Sequence, residues 1–391
     1  MTTLKDYTSS KLPPVPAKGR LRLAHTADNH LRLTQTGSRE RGADFKHAFM
    51  DVMHKASRRG CKAVVAAGDL LDKSELSSPV VRDLADVLSV SDKLGLQLLT
   101  VQGNHDIASP NWVDVIRHGR EMISVIDNKQ VELRVDASLP PLRMYGIPFV
   151  APATLRRILA EVRERRCVDV LVWHGPVAEF ADFHGEYVKL EDFNSLGTAA
   201  VLLGDIHKTA YTELPDTGLI GYPGATELCK RDEPLEHSFT LIDFAHDGTR
   251  WHVEGVELVP VDSRPTKALR IDSQEQLAQA VAEVRQWAAQ SHRPVQIFIK
   301  YSSEVDNVRG AITEACGPTL AIVRAESYDR AVMAACAKLE KEGSMQGLET
   351  YFSRQIADSW GADLAAQLLA APVGSNYGAL LQDAVTKIVT T

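Results

Sequence analysis

The 391-residue sequence contains no apolar run approaching the roughly 18 residues that a membrane-spanning helix needs. Its first 19 residues are polar and contain proline, without the apolar segment of a signal peptide. Cysteine is sparse, and no two cysteines form a CxxC pair; the five are Cys61, Cys167, Cys229, Cys316 and Cys336. This usage indicates a reducing cytosol and argues against a thiolate zinc site. We therefore expect a cytoplasmic protein with no membrane segment.

The sequence also lacks an excess of basic residues, since its net charge is −7. Nucleic-acid-binding proteins usually carry positive charge for the phosphate backbone. Residues 266–342 carry ten basic and ten acidic side chains, and residues 343–391 carry two basic and four acidic ones. The remaining −5 belongs to residues 1–265, and two bound divalent cations would bring it to about −1. Net charge therefore does not exclude a nucleic acid partner.

Residues 20–260 alternate short apolar runs with helical patterns, which is typical of a layered α/β fold. The strands predicted from these runs are 20–25, 62–67, 96–101, 142–147, 168–173 and 199–204. A helix is predicted between the first two strands, capped by Asp44 and ended at Gly60. Further helices are predicted at 79–94 and 153–166. From about residue 209 the pattern indicates strands joined as hairpins.

A break at residues 260–265 separates this part from a smaller unit and a tail. In the smaller unit, residues 266–342, the pattern predicts three strands that alternate with two helices. The strands are predicted at 267–271, 295–301 and 319–327, and the helices at 273–290 and 305–316. The tail, residues 343–391, predicts amphipathic helices with an apolar face that includes Leu348, Phe352, Ile356 and Trp360.

Polar clusters follow five of the predicted strands. They are Asp28-Asn29-His30, Asp69 to Asp72, Asn104-His105-Asp106, His174, and Asp205-Ile206-His207. Ligands in open α/β sheets collect at the carboxyl ends of strands, so these side chains are expected to converge. Aspartate, asparagine and histidine together suit Mn²⁺ or a similar divalent ion. Each cluster alone is more often an ordinary turn or a buried polar pair. Five such clusters, each at a strand end, are not readily explained in that way and favour a metal site.

This set resembles the signature of the calcineurin-like metallophosphoesterases: D-x-H, GDxxD, GNHD, a lone His and GHxH. The versions here, HTADNHL, AAGDLLD, VQGNHD and LLGDIHK followed by GYPGATE, are most similar to the SbcD group of repair nucleases. The resemblance implies a layered β-sandwich flanked by helices, with a small α/β cap domain and a helical tail. It assigns residues 1–265 to catalysis, 266–342 to a DNA-binding cap and 343–391 to ATPase docking.

The resemblance also implies two metal ions, bridged by Asp69. The first ion would be held by Asp28, His30, Asp69 and His207, and the second by Asp69, Asn104, His174 and Asp205. His105 would donate a proton to the leaving oxygen, and Asp106 would orient it. One position departs from the pattern, because the family usually has histidine where this chain has Asp205. Aspartate can still bind Mn²⁺, although it changes the charge of the second position.

The function implied by the resemblance is a Mn²⁺-dependent 3′–5′ exonuclease and single-strand endonuclease in DNA end processing, repair or recombination. It would act as a homodimer with an SMC-like ATPase of the SbcC type, at the nucleoid or in the cytosol of a phage-infected cell. Three basic residues beside the metal loops could contact DNA phosphates or could be solvated loop charges: Arg32, Lys73 and Lys208. The alternatives are a small-molecule phosphodiesterase or phosphatase, and a metal-binding scaffold without nuclease activity.

Overall fold

The computed structural model describes residues 11–35, 37–109, 111–117, 122–134, 137–180, 187–231, 233–317 and 321–328. The chain divides between Arg264 and Pro265 into two compact units. The predicted tail, residues 343–391, lies outside the described residues, as does Cys336. Within the described part, no helix is both long enough and apolar enough to cross a membrane.

Two six-stranded sheets form the centre of the first unit. The strands of the first sheet, in spatial order, are β12 (Trp251–Pro260), β11 (Ser238–His246), β1 (Arg20–Thr26), β2 (Ala63–Ala66), β3 (Gln97–Thr100) and β4 (Ile123–Val125). Those of the second are β5 (Gln130–Leu133), β6 (Leu142–Ile147), β7 (Val170–His174), β8 (Ala200–Gly204), β10 (Gly218–Tyr222) and β9 (Ala210–Leu214). Strands β1 to β4 are parallel to one another, and so are β6, β7, β8 and β10.

Helices cover the outer faces of both sheets. They are α1 (Arg39–Arg58), α2 (Ser78–Leu94), α3 (Trp112–Arg117) and α4 (Pro152–Arg165), with two short 3-10 helices at Ala178–Phe180 and Leu190–Phe193. One core cluster joins side chains of the two sheets, such as Leu23 and Val172. A second joins α1 and α2 to the first sheet, and a third joins α4 to the second sheet. Strands β2, β7 and β8 are consequently buried along their whole length. This confirms the predicted sandwich flanked by helices.

All six strands predicted ahead of residue 205 are present, within two residues at each end. The sequence did not predict β4, β5 or α3. Strands β4 and β5 are three and four residues long and lie at the sheet edges. An edge strand needs no long apolar run, so its sequence pattern is weak.

The predicted helix cap at Asp44 is wrong. The cap of helix α1 is Ser38, six residues earlier, whose hydroxyl accepts a hydrogen bond from the Arg41 backbone N–H. Serine is a good N-cap because its side chain satisfies a backbone donor that the first turn leaves free. Asp44 lies inside the helix, and its buried carboxylate forms ion pairs with Arg41 and Arg264.

Arg41 is the centre of a buried polar network. Its guanidinium donates to Asp44 (2.7 Å), Glu227 (3.0 Å), the Gln35 amide oxygen (2.9 Å) and the Leu228 carbonyl (2.9 Å). Removing one member of a buried ion pair leaves its partner charged without compensation.

We therefore expect Arg41→Ala to lower the free energy of unfolding by about 3–5 kcal/mol, measured by urea denaturation. The control is Arg39→Ala, because Arg39 is exposed on the same helix. Substitution there should change the free energy of unfolding by less than about 0.5 kcal/mol. Equal effects of the two substitutions would contradict a stabilising role for the network.

The second unit contains a three-stranded parallel sheet covered by two helices. Its elements are β13 (Thr266–Ile271), α5 (Gln274–Gln290), β14 (Val295–Ser302), α6 (Val308–Ala315) and β15 (Ala321–Tyr328). The Ser273 hydroxyl caps α5 by accepting from the Gln276 backbone N–H. The core joins side chains of both helices, such as Val284 and Ile312, to Ile297 of the central strand. The element order is the one predicted from the sequence.

Candidate metal centre

The predicted metal-binding residues lie where five strands end, at one edge of the sandwich. Asp28 and His30 follow β1, Asp69 follows β2, and Asn104 follows β3. His174 is the last residue of β7, and Asp205 and His207 follow β8. The two sheets meet at this edge, since Nδ1 of His174 lies 2.8 Å from the Ala67 carbonyl oxygen.

Four of these residues have a left-handed backbone, although none is glycine. Their φ values are +52° for Asp28, +43° for His30, +50° for Asp69 and +107° for Asp205. This conformation is unfavourable for most L-residues, and it clusters at functional sites where the surrounding structure enforces it. The turn after each strand thus directs a polar side chain toward the same place at a cost in backbone strain.

One group of donors surrounds His30 and His207. The Nε2 atoms of these two rings are 3.4 Å apart. Nε2 of His207 lies 3.6 Å from Asp28 Oδ1, and Nε2 of His30 lies 3.7 Å from Asp69 Oδ2. These four residues are the set predicted for the first ion.

A second group surrounds His174. Its Nε2 atom lies 3.0 Å from Asn104 Oδ1, 3.6 Å from Asp69 Oδ1 and 3.7 Å from Asp205 Oδ1. Asp69 therefore presents one carboxylate oxygen to each group. Its Oδ1 atom also accepts a hydrogen bond from the His105 backbone N–H at 2.9 Å. This is the arrangement that a bridging carboxylate requires.

Two glycines allow the loops to approach so closely. A Cβ atom at Gly103 would lie 2.1 Å from Asp69 Oδ1. One at Gly68, where φ is +93°, would lie 2.2 Å from Nδ1 of His174. Any larger residue at either position would displace one of the donors.

The electrostatics of the pocket favour cations. Burial raises the pKa of the Asp28 carboxyl to about 6, and it also raises the pKa of Asp205. Burial alone would lower the pKa of His174, but Asp69, Asp28 and Asp205 together raise it above its ordinary value. A buried carboxylate is unstable in its charged form when no cation replaces the water that it has lost. A divalent cation would supply the missing positive charge.

The hydrogen bonds of His174 support the same conclusion. Nδ1 faces the Ala67 carbonyl oxygen, and Nε2 faces the Asn104 amide oxygen. Both partners are acceptors, so a neutral ring can satisfy only one of them. A metal ion bound by Nε2 and by the amide oxygen would satisfy both while Nδ1 donates to the carbonyl. The donor set therefore fits a divalent ion.

His207 has a partner that the sequence did not reveal. Its Nδ1 atom lies 2.5 Å from Glu233 Oε1, which leaves Nε2 facing the first donor group. Burial would lower the pKa of His207, but hydrogen bonds with Cys229 and Glu233 raise it to about 11. A carboxylate behind a histidine ligand fixes the orientation of the ring. Glu233 belongs to no recognisable motif and follows His207 by 26 residues, so no sequence signal pointed to it.

His105 is exposed at the mouth of the site, and its ring packs edge-on against His30 with centroids 4.9 Å apart. The predicted role of Asp106 in orienting it is not what the structure shows. The Asp106 carboxylate accepts hydrogen bonds from the backbone N–H groups of Leu70, Leu71 and Gly103. It therefore holds the Asp69 and Asn104 loops together. Nδ1 of His105 instead lies 3.0 Å from the Asp72 carbonyl oxygen.

The sequence leaves Arg32 as either a contact to DNA phosphates or a solvated loop charge, and its contact with DNA stays a prediction. Its guanidinium forms an ion pair with Asp72 (2.7 Å) and lies over the Phe45 ring, with only 14% of the side chain exposed. The side chain therefore holds the Asp72 loop against the sandwich. Lys73 and Lys208 are exposed beside the site, and their contact with DNA remains a prediction.

Comparison with known proteins agrees with this geometry. Residues 21–209 match the calcineurin-like phosphoesterase family, and this part of the chain is a metallophosphoesterase domain. The family implies divalent metal ions at the site. The match confirms the family predicted from the motifs.

More particularly, the chain is similar to proteins named DNA double-strand break repair protein Mre11. It is 29% identical to the one from Halobacterium salinarum, over 58% of this chain and 57% of that protein. It is also 29% identical to the one from Haloferax volcanii, over 64% of this chain and 54% of that protein. The chain thus spans little more than half the length of these relatives. A dimetal phosphatase from Danio rerio aligns with a TM-score of 0.40 and 14% identity, over 62% of this chain and 98% of that structure.

Proposed function

We propose that this chain is a DNA nuclease that hydrolyses phosphodiester bonds with two Mn²⁺ ions. The observation that carries the proposal is the position of the Asp69 carboxylate, which presents Oδ2 to His30 and Oδ1 to His174. One group of donors lies on each side of it. Paired divalent ions are typical of enzymes that cleave phosphate esters.

The metal ligands in this proposal are the seven residues of the two donor groups: Asp28, His30, Asp69, Asn104, His174, Asp205 and His207. When bound there, the ions neutralise charge on the phosphoryl group and lower the pKa of an attacking water. His105, at the mouth of the site, donates a proton to the leaving oxygen. Glu233 and the Ala67 carbonyl hold the rings of His207 and His174 so that Nε2 of each faces inward.

DNA is proposed as the substrate because the similar proteins are named for double-strand break repair. The exposed positions of Lys73 and Lys208 beside the site are compatible with a phosphate backbone. The test is incubation of the protein and Mn²⁺ with labelled linear DNA, circular single-stranded DNA and bis-p-nitrophenyl phosphate. Degradation of both DNAs supports the proposal. Hydrolysis of the small ester alone would indicate a small-molecule phosphodiesterase, and no hydrolysis of any substrate would indicate a scaffold.

Asp205 contributes one of the two carboxylates of the second donor group, at a position where the family usually has histidine. We expect Asp205→His to remain active but to require a different Mn²⁺ concentration, because a neutral nitrogen replaces an anionic oxygen. The measurement is DNA cleavage as a function of Mn²⁺, Mg²⁺ and Co²⁺ concentration, beside Asp205→Ala. If both variants match the parent at every concentration, residue 205 does not bind metal.

We also propose that the protein acts in the cytosol as a homodimer with an SMC-like ATPase, docked through residues 343–391. All proposed ligands precede residue 208, so truncation after Gly343 should leave Mn²⁺-dependent cleavage intact. The truncated chain should no longer co-purify with the ATPase. The measurements are cleavage rate, thermal unfolding and co-purification. Aggregation of the truncated chain, or a melting temperature many degrees lower, would show instead that the tail completes a core.

A further inference from the structure

Cys229 lies beside the first donor group, although its sequence context contains no metal-binding cysteine motif. One ligand atom each from Cys229, His30 and His207 lies within 4.8 Å of the other two. The cysteine is free and partly buried. The His30 and His207 position therefore has sulfur available as a third kind of donor, besides nitrogen and oxygen.

A hydrogen bond to Glu233 holds Cys229 in place beside His207, and burial raises the pKa of its thiol. Its backbone N–H donates to Glu233 Oε2 at 2.7 Å, while Oε1 of the same carboxylate lies 2.5 Å from His207 Nδ1. One glutamate thus fixes both the imidazole ring and the backbone that carries the thiol. Nη2 of Arg32 lies 3.9 Å from the sulfur. Because burial disfavours the free thiolate, the sulfur becomes a metal ligand only by exchanging its proton for the cation.

We propose that Cys229, His30 and His207 form a binding site for a thiophilic divalent cation such as Zn²⁺. Coordination breaks the S–H bond, forms a sulfur–metal bond and releases the thiol proton to solvent. Thiolate and imidazole together favour Zn²⁺ over Mn²⁺, which prefers oxygen ligands. Zn²⁺ at this position would occupy two histidines that the proposed nuclease needs, so it would compete with Mn²⁺. The inference shares these two histidines with the proposed function, but its test measures coordination and not cleavage.

The test uses Co²⁺ as a spectroscopic probe of the full chain. A thiolate ligand produces a sulfur-to-cobalt charge-transfer band in the near ultraviolet, whereas any low-symmetry Co²⁺ site produces d–d bands in the visible. The parent should show both bands, and Cys229→Ser should keep the d–d bands but lose the charge-transfer band. Cys61→Ser is the matched control, because Cys61 is also free and partly buried but belongs to none of the three-residue clusters among the described residues that could hold a metal.

A competition titration gives the second measurement. Cys229→Ser should weaken Zn²⁺ binding by at least about tenfold and change Mn²⁺ affinity by less than about twofold. Cys229→Ala repeats the comparison without a hydroxyl group, and circular dichroism checks that each variant is folded. A charge-transfer band that persists in both Cys229 variants, or an unchanged ratio of Zn²⁺ to Mn²⁺ affinity, would overturn the inference alone. Absence of d–d bands from every protein would overturn it together with the proposed metal centre.

Discussion

Asp69→Asn is expected to reduce DNA cleavage more than any other single ligand substitution. The two oxygens of the Asp69 carboxylate face different donor groups, Oδ2 toward His30 and Oδ1 toward His174. Asparagine keeps the size of the side chain but removes its charge and one of the two acceptor oxygens. The loss of about 4 kcal/mol of transition-state stabilisation corresponds to a rate decrease of about 10³-fold.

Two measurements make this expectation specific. Calorimetric titration should show weaker binding of both Mn²⁺ ions, whereas Asp205→Asn should weaken one of them. Thermal unfolding should be close to that of the parent, since an amide oxygen can still accept the hydrogen bond from the His105 backbone. A variant that binds two ions with parental affinity and cleaves DNA at the parental rate would show that Asp69 does not bridge.

His105→Ala is expected to bind metal and DNA normally yet lose about 10²–10⁴-fold in turnover, which is the typical contribution of a general acid. The reason is that His105 is exposed at the mouth of the site and its contact with Asp69 is made by the backbone N–H, which alanine retains. The control is Ile107→Ala, an exposed residue on the same loop, which should cleave at close to the parental rate.

A change of substrate distinguishes proton donation from a structural role for His105. The p-nitrophenolate leaving group is stable without a proton, so hydrolysis of bis-p-nitrophenyl phosphate should be much less sensitive to His105→Ala than DNA cleavage is. An equal loss on both substrates would contradict the general-acid role, and loss of Mn²⁺ binding would show that His105 is a ligand.

The arrangement of the site could be predicted from the sequence because its pattern is local and repeated. Strands β1, β2, β3, β7 and β8 are each a short buried run that ends in a polar cluster, and both the run and the cluster are visible in the linear chain. Parallel strands present their carboxyl ends at one edge, so the clusters meet within each sheet, and the packing of the two sheets brings both sets together. The identity of the donors, carboxylate, amide and imidazole, then indicated divalent metal.

Other features depended on contacts between segments far apart in the chain. Glu233 and Cys229 reach His207 only because the loop after β10 folds back across the end of β8, and no local periodicity encodes that path. Asp106 follows a predicted catalytic histidine, yet its carboxylate accepts hydrogen bonds from the backbone of the loops after β2 and β3.

Charged residues within helices and loops also have partners that the local sequence does not reveal. Aspartate is common at helix N-caps, but Ser38 caps this helix and Asp44 pairs with Arg264, 220 residues away. Arg32 stands beside a metal loop, but its guanidinium pairs with Asp72. A charged side chain is governed by whichever opposite charge the fold brings within a few ångströms. The sequence by itself therefore determined the long buried strands and the donors that follow them, whereas the short edge strands and the partners of each buried charge were decided only by tertiary packing.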